Sequence, residues 1–336
     1  MEFISPGSRQ LKANLHCHST LSDGHLTPEA LVDAYRKAGY SVLAITDHEA
    51  PYDHSAFSTE DFLLLTGYEA YIRPSPDCVI DLFGPEVHLN LLAREPHNIT
   101  FVGYDPKFCK YMPHETADSR PKAGAAGPRQ YTRAYIQRFI DDARAAGYLV
   151  TYNHPCWSME AQEDILAYDG CFSLEIFNTG SMVINGSEYN LALYDRFLRG
   201  GKYLFCHGAD DNHNKYPFGH PLCDSFGAWT MILADTPDYA AVIGALERGD
   251  FYASTGPAIH SLRIEGNRAH LTCSAARRAV MHVSPKRAVS VCHEDASVVT
   301  EAEFEIPDYA PYVYFSVFAG DGTSAHTRAF RREEFV

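Results

Sequence analysis

Residues 14–49, NLHCHSTLSDGHLTPEALVDAYRKAGYSVLAITDHE, read as strand, loop, helix and strand. Residues 12–18 have strand character and end in His16 and His18. Alternate residues on a strand share a face, so both imidazoles point the same way. The loop at 19–26 then carries Asp23 beside Gly24. Thr27 suits a helix N-cap and Pro28 the first turn. Ala30, Leu31, Ala34, Tyr35 and Ala38 follow at helical spacing until Gly39 stops the helix. Residues 41–46, SVLAIT, are nearly all apolar, as in a buried parallel strand, and lead into Asp47-His48. Two successive strands thus finish in metal-capable side chains, with an aspartate on the loop between them. In α/β folds, ligands gather at the carboxyl ends of strands.

The same alternation continues outward. Strands are expected at 62–66, with Glu69 just past Gly67, and at 87–93, with His88 near the start. Further strands are expected at 149–152, before Asn153-His154-Pro155, at 173–177, before Asn178, and at 202–206, before HGADDNH at 207–213. Helices are expected at 129–146, 189–198 and 238–248. Residues 74–86 read as a loop rich in Pro, Asp and Gly. Residues 103–128 form a long irregular segment. Loops of that length are more often functional than idle, and a substrate lid is expected there. Alternating strands and helices through residue 257 imply an α/β, barrel-like, largely parallel sheet. After Gly256-Pro257 the pattern becomes short alternating strands and turns. The expected division is a barrel over 1–257 and a small antiparallel β-sandwich over 258–336.

The chain has 336 residues, 46% hydrophobic and 21% charged, an ordinary globular composition. Its net charge of −15 argues against nucleic acid and anionic membrane surfaces as partners. A phosphorylated small-molecule substrate would need local positive charge, which bound metal ions can supply. Nine cysteines with no CxxC pair point to a reduced, cytoplasmic location. No apolar run has the length of a membrane span or a signal peptide.

The polar residues at the expected strand ends are His16, His18, Asp23, His48, Glu69, His88, His154, Asp211 and His213. Any one of these motifs alone is weak, and an isolated His88 reads more readily as a core histidine. As an ordered set, nearly one per strand end, they converge six imidazoles and three carboxylates. Buried without partners, such groups are heavily penalised. Divalent cations remove the penalty, and mixed nitrogen and oxygen donors suit Zn²⁺, Mn²⁺ or Fe²⁺. Nine donors are enough for two or three ions with a bridging carboxylate.

The series His16-x-His18, Ser22-Asp23-Gly24, Thr46-Asp47-His48, Gly67-Tyr68-Glu69, His88, Asn153-His154-Pro155 and Asp211-Asn212-His213 resembles the PHP (polymerase and histidinol phosphatase) superfamily over about residues 10–257. Residues 251–257, FYASTGP, followed by a small β-domain, resemble stand-alone PHP metallohydrolases. The resemblance implies a distorted seven-stranded (β/α) TIM-like barrel holding two or three metals. It places His16, His18, Glu69 and Asp211 at one metal, Glu69 as bridge with His88 and His154 at a second, and Asp23, His48 and His213 at a third.

Clustered divalent ions generate hydroxide near neutral pH and neutralise phosphoryl oxygens. The leading expectation is therefore a metal-dependent phosphoesterase acting on a small-molecule phosphate mono- or diester through a metal-bridging hydroxide. Asp211 or His213 would pass a proton to the leaving group, with Glu69 bridging. Arg120, Lys122, Arg129, Arg133 and Lys215 are the candidate phosphate contacts. The same metals could instead attack a carboxyl ester, amide or carbamate, with Tyr52, Tyr68, Tyr71, Tyr152, Trp157, Phe177, Tyr216 and Phe218 as candidates for an apolar wall. A non-catalytic metal-stabilised binding module would be expected to lack ligands, and none of the nine is missing.

Overall fold

The structure, a computed structural model, describes residues 1–74, 84–125 and 127–336. Most of the loop expected at 74–86 lies outside the described residues. The opening stretch forms the strand Leu11–Asn14, the helix Pro28–Lys37 and the strand Val42–Ala44. Thr27 caps the helix, its side chain accepting a hydrogen bond from the Ala30 amide. The helix buries Pro28, Leu31, Val32 and Tyr35. Its seam is centred one position away from the small-residue stripe, because the larger side chains bury more area.

Strands Leu11–Asn14, Val42–Ala44 and Leu63–Leu65 run parallel in one half of the α/β layer. The other half is a five-stranded sheet in the order Phe205–Ala209, Ser173–Asn178, Tyr148–Tyr152, Val87–Ala93, Gly67–Ile72. Its first three strands are parallel, and Val87–Ala93 is antiparallel to both neighbours. The seven-stranded barrel that the resemblance implies is not formed as one closed ladder among the described residues: the strands divide between two sheets. The sheets meet at two seams. Leu63–Leu65 passes through Thr66 directly into Gly67–Ile72. On the other side, an isolated parallel bridge joins Cys17 to Asn212. There the Asp211 amide donates to the His16 carbonyl at 2.9 Å and the His18 amide to the Asn212 carbonyl at 3.0 Å. The ladder stops at this seam because Leu11–Asn14 ends before Cys17. Both seams fall on predicted metal ligands or their neighbours.

The half containing Leu11–Asn14 continues through Trp229–Ile232, Phe251–Ser254 and Ser324–Thr327 into Tyr312–Phe318, Arg278–Ser284 and Arg287–Val291. The C-terminal strands therefore extend the same sheet. A separate four-stranded sheet, Glu2–Ile4, Ile259–Glu265, Arg268–Ala276 and Val299–Glu305, faces them. Ile264, Leu271, Phe304, Phe315 and Phe330 lie in the core between the two. The expected antiparallel strands of the last eighty or so residues are present, and Glu2–Ile4, from the chain's start, joins them. The strands Trp229–Ile232, Arg287–Val291 and Ser324–Thr327, and the short helix Thr179–Asn185, are additions to the sequence reading. The expected strand at 202–206 is shifted to Phe205–Ala209, which brings His207 into it. Within 103–128, the described residues include the helix His114–Ser119 and the strand Lys122–Ala123, which pairs with Phe101–Val102.

Candidate metal centre

All nine predicted ligands converge at one end of the α/β layer. His16, His18 and Glu69 are fully buried; His88, His154 and Asp211 are nearly so. His48 and His213 are half-buried, and Asp23 is the most open, its side chain 35 % exposed. Three groups bring donor atoms within 4.8 Å of one another: His16, His18, Glu69 and Asp211; His48, Glu69 and His88; and His18, Asp23, His48 and His213. The first is the set implied for one metal. In the second, His48 stands where His154 was expected. In the third, His18 joins the expected three.

Glu69 is the hub. Its Oε1 lies 3.2 Å from His16 Nε2, 3.1 Å from His88 Nδ1 and 3.3 Å from His154 Nε2. Its Oε2 lies 3.3 Å from His18 Nε2 and 3.0 Å from His48 Nδ1. The Asp211 Oδ1 atom sits 3.1 Å from His16 Nε2 and 3.0 Å from His18 Nε2. Asp23 faces His213 Nε2 at 3.4 Å and His48 Nε2 at 3.7 Å.

A ring of polar groups to which the sequence reading gave no role aims these side chains. Glu175, fully buried, accepts from His16 Nδ1 at 3.1 Å and from the His154 amide at 2.8 Å, which turns His16 Nε2 inward. Glu86 lies 2.9 Å from His88 Nε2, which leaves Nδ1 toward Glu69. Asn153 Nδ2 donates to Glu69 at 2.7 Å and Asn178 Nδ2 to Asp211 at 3.1 Å. The buried residues Glu49, His154 and Asp211 adopt left-handed backbone angles, φ 49°, 22° and 51°. Non-glycine residues seldom adopt these angles unless the surroundings enforce them, as functional sites do. The only advance signal for Glu175 was a carboxylate between the apolar residues Leu174 and Ile176 of the SLEIF strand.

Electrostatics agree with a cation site. Burial pushes Glu69 up, but His16, His88 and His48 outweigh it and hold the carboxyl well below its usual range. Burial lowers His88, yet Glu69 and Glu86 hold it up at about 10. His16 Nε2 and His18 Nε2 face each other at 3.2 Å, where at most one proton fits between them. His18 Nδ1, His48 Nδ1, His154 Nδ1 and Glu69 Oε2 are buried without a hydrogen-bond partner among the described residues, the 3.0 Å approach of His48 to Glu69 being misaligned for one. Buried polar atoms left unpaired are costly. Divalent ions would satisfy converging nitrogen and oxygen lone pairs of this kind, so the donor set fits them.

The cluster floors a cavity of about 490 Å³. Tyr71, Tyr111, Trp157, Tyr216, Val183, Ile184 and Leu222 line its apolar side, and Arg73, Lys110 and Lys215 supply cations. Of the five predicted phosphate contacts, Lys215 alone lines it. Arg129 is a correction: its guanidinium is buried in a two-pronged pair with Glu49 and does not reach the cavity. Arg133 pairs with Asp164 on the surface. Lys122 Nζ donates to the carbonyls of Ala117 and Asp118 at the end of a short helix. Arg120 lies over the Tyr52 ring. Charge on the sequence did not reveal which cations already have partners. Of the proposed aromatic wall, Tyr71, Trp157 and Tyr216 line the cavity; Tyr68, Tyr152 and Phe177 are core.

Residues 14–105 match the family model of the PHP domain. The chain is 42% identical over 146 residues to a 5'-3' exoribonuclease of Haemophilus influenzae, an alignment covering 41% of this chain and 50% of that protein. It thus spans about half the length of the curated relative it matches. Among solved structures, it is similar to a two-domain protein of Bacteroides vulgatus containing a predicted PHP-like metal-dependent phosphoesterase. That likeness has 16% identity and a TM-score of 0.44, over 97% of this chain and 98% of the other. An inferred metal-dependent phosphoesterase of Bifidobacterium adolescentis shows 19% identity and a TM-score of 0.40, over 65% of this chain and 94% of the other.

Proposed function

We propose, from the PHP domain that residues 14–105 carry, that this chain is a metal-dependent hydrolase, and specifically a phosphoesterase acting on a small-molecule phosphate mono- or diester. The observation that carries this reading is the trio of overlapping donor groups sharing His18, His48 and Glu69 at the floor of a cavity walled by lysines and an arginine. Two or three Zn²⁺, Mn²⁺ or Fe²⁺ ions, held by the nine residues named, would activate water and neutralise phosphoryl charge. The protein's own groups do the rest. Glu175, Glu86, Asn153 and Asn178 hold the donors in place before substrate arrives. Lys110 and Lys215 draw an anionic group toward the floor of an otherwise acidic molecule. His213 Nδ1 is held by the Asp211 carbonyl at 3.1 Å, so Nε2, facing Asp23 at 3.4 Å, would hand a proton to the leaving oxygen in a two-ion form that leaves the Asp23, His48 and His213 position without metal. Asp211 orients that imidazole through its own backbone. The reading also takes the location as cytoplasmic and the substrate as soluble; among the described residues no helix is long and apolar enough to cross a membrane.

A second reading, hydrolysis of a carboxyl ester, amide or carbamate, is favoured by the apolar side of the cavity, where Trp157, Val183, Ile184 and Leu222 would hold an acyl or aryl group. Matched p-nitrophenyl phosphomonoester, phosphodiester and acetate substrates, given to manganese-loaded protein with and without chelator, separate the two. Chelator-sensitive phosphate turnover is expected. Fast acetate turnover without phosphate turnover would move the assignment to the carbonyl reaction. A 5'-phosphorylated oligoribonucleotide belongs in the same assay, because the curated relative is named an exoribonuclease. Preference for it would replace the small-molecule substrate.

A further inference from the structure

Arg129 and Glu49 lie behind the metal centre rather than in it. Both side chains are fully buried, and they meet fork to fork: Arg129 Nη1 and Nη2 donate to the two Glu49 carboxylate oxygens, the Nη2 contact at 2.7 Å. Glu49 follows His48 and sits at φ 49°. Its amide donates to the Glu69 carbonyl at 2.8 Å, and its Oε1 accepts from the Tyr71 amide at 2.9 Å. Arg129 Nη1 also donates to the Tyr71 carbonyl at 2.6 Å. One guanidinium therefore grips the residue after His48 and the backbone two residues beyond Glu69.

The same arginine reaches the other way. Its Nε donates to the Gly103 carbonyl at 3.1 Å, its amide to Asp105 at 3.1 Å, and its guanidinium lies 4.9 Å from the centre of the Phe108 ring. Tyr71 OH closes the loop by donating to the Phe108 carbonyl at 3.0 Å. Two residues later come Lys110 and Tyr111, on the cavity wall, with the Tyr111 ring stacked 6.3 Å from His48. The segment expected to swing as a lid is, over residues 103–111, fastened to the ligand-bearing backbone.

We infer that the Arg129–Glu49 pair is a positioning clamp that sets His48, Glu69 and the Lys110–Tyr111 wall at fixed mutual distances, so that metal affinity depends on two residues that touch no metal. A planar fork gripping a carboxylate and two carbonyls fixes direction as well as charge, which a lysine cannot reproduce. The inference rests on the metal centre proposed above, and its readout is metal rather than turnover.

Removing one partner leaves a bare buried charge and endangers folding, whereas replacing both by apolar groups is often neutral for stability. The decisive variant is therefore the double Glu49→Met/Arg129→Met, beside Arg129→Lys and a remote control, Val283→Ala, in the sandwich core. Manganese affinity is measured by chelator competition, metal equivalents by mass spectrometry after desalting, and the metal-free melting temperature by circular dichroism. The double variant is expected to melt as a folded protein yet bind manganese about ten- to a hundred-fold more weakly, as for lost outer-shell partners, with loss of at least one equivalent. Arg129→Lys should weaken binding in the same direction, and Val283→Ala should lower melting without changing metal affinity. A folded double variant with wild-type affinity and stoichiometry overturns the clamp, and so does a wild-type protein that binds no divalent metal. Wild-type protein that binds metal but turns over no substrate refutes the phosphoesterase reading alone.

Discussion

At the scale of single residues, the centre depends on carboxylates that point nitrogen lone pairs. Glu175 is the clearest case, since its two oxygens hold the His16 ring and the His154 amide. Glu175→Gln keeps the shape but turns one acceptor into a donor, so the His16 ring loses the partner that fixes its direction. Metal affinity is expected to fall about ten-fold or more, with little change in secondary structure. Isothermal titration with Mn²⁺ or Zn²⁺ would show it; unchanged affinity would mean that the His16 ring is held by packing alone. The nine candidate donors were readable as a set, because they are metal-capable residue types spaced one after another near expected strands or in the loops that follow them. The orienting roles were not: Asn153 and Asn178 stood out only as neighbours of expected strand ends, and Glu86 and Glu175 have no motif, so each takes its meaning from what it meets in the fold.

At the scale of elements, the turn after Asn178 sets how closely the Thr179–Asn185 helix approaches the ligand loop. Gly180 donates its amide to the Asp210 carbonyl at 2.7 Å, and a Cβ at this position would lie 2.5 Å from the Asp211 carbonyl oxygen. That oxygen also accepts from His213 Nδ1. Gly180→Ala must therefore shift the backbone shared by Asp211 and His213. A large loss of kcat with a smaller change in melting temperature is expected, measured on whichever ester the wild type hydrolyses. An alanine variant of wild-type activity would show that the loop gives way freely. The first helix was legible to the residue, from Thr27 and Pro28 at its start, because its caps act locally. The Thr179–Asn185 helix was not, because its TGSMVIN sequence has neither a strong periodicity nor a helix-favouring composition, and its place is decided by Asn178 and the Asp210–Asp211 backbone.

At the scale of the whole molecule, the C-terminal strands are welded to the α/β layer. Ser324–Thr327 pairs with Phe251–Ser254, and Tyr252 is fully buried. A chain ending after Pro257 would expose that strand edge and strand Glu2–Ile4 without its neighbour. It is expected to aggregate or to elute as a mixture on size-exclusion chromatography, and a monodisperse, metal-binding fragment would refute the expectation. The same junction holds His326, fully buried between Ser316 Oγ at 2.6 Å and Ser324 Oγ at 3.0 Å, with Phe177 and Phe318 against the ring. Burial and nearby His282 push its pKa down to about 3. An unfolded histidine titrates near 6.5, so between the two values the unfolded chain binds a proton that the folded chain refuses. Stability is thus fully present above about pH 6.5 and falls on acidification, by up to about 1.4 kcal/mol per pH unit from this residue. Urea unfolding of metal-free protein at pH 7 and pH 5 should show a larger drop for wild type than for His326→Gln; equal drops would remove His326 from the account.

Read from the chain alone were the alternation of strands and helices, the change to short antiparallel strands near Pro257, and the order of the nine candidate donors. These are local or periodic properties, carried by side-chain type, spacing and capping. Tertiary structure alone decided that the strands split into two sheets joined at Cys17–Asn212 and through Thr66, because strand lengths and registers depend on neighbours far away in sequence. It also decided which cations face the cavity. Arg129 and Lys215 are equivalent as letters, but one meets Glu49 in the interior and the other lines the open wall. A charge acquires its role from the partner that reaches it first, and that partner is set by folding.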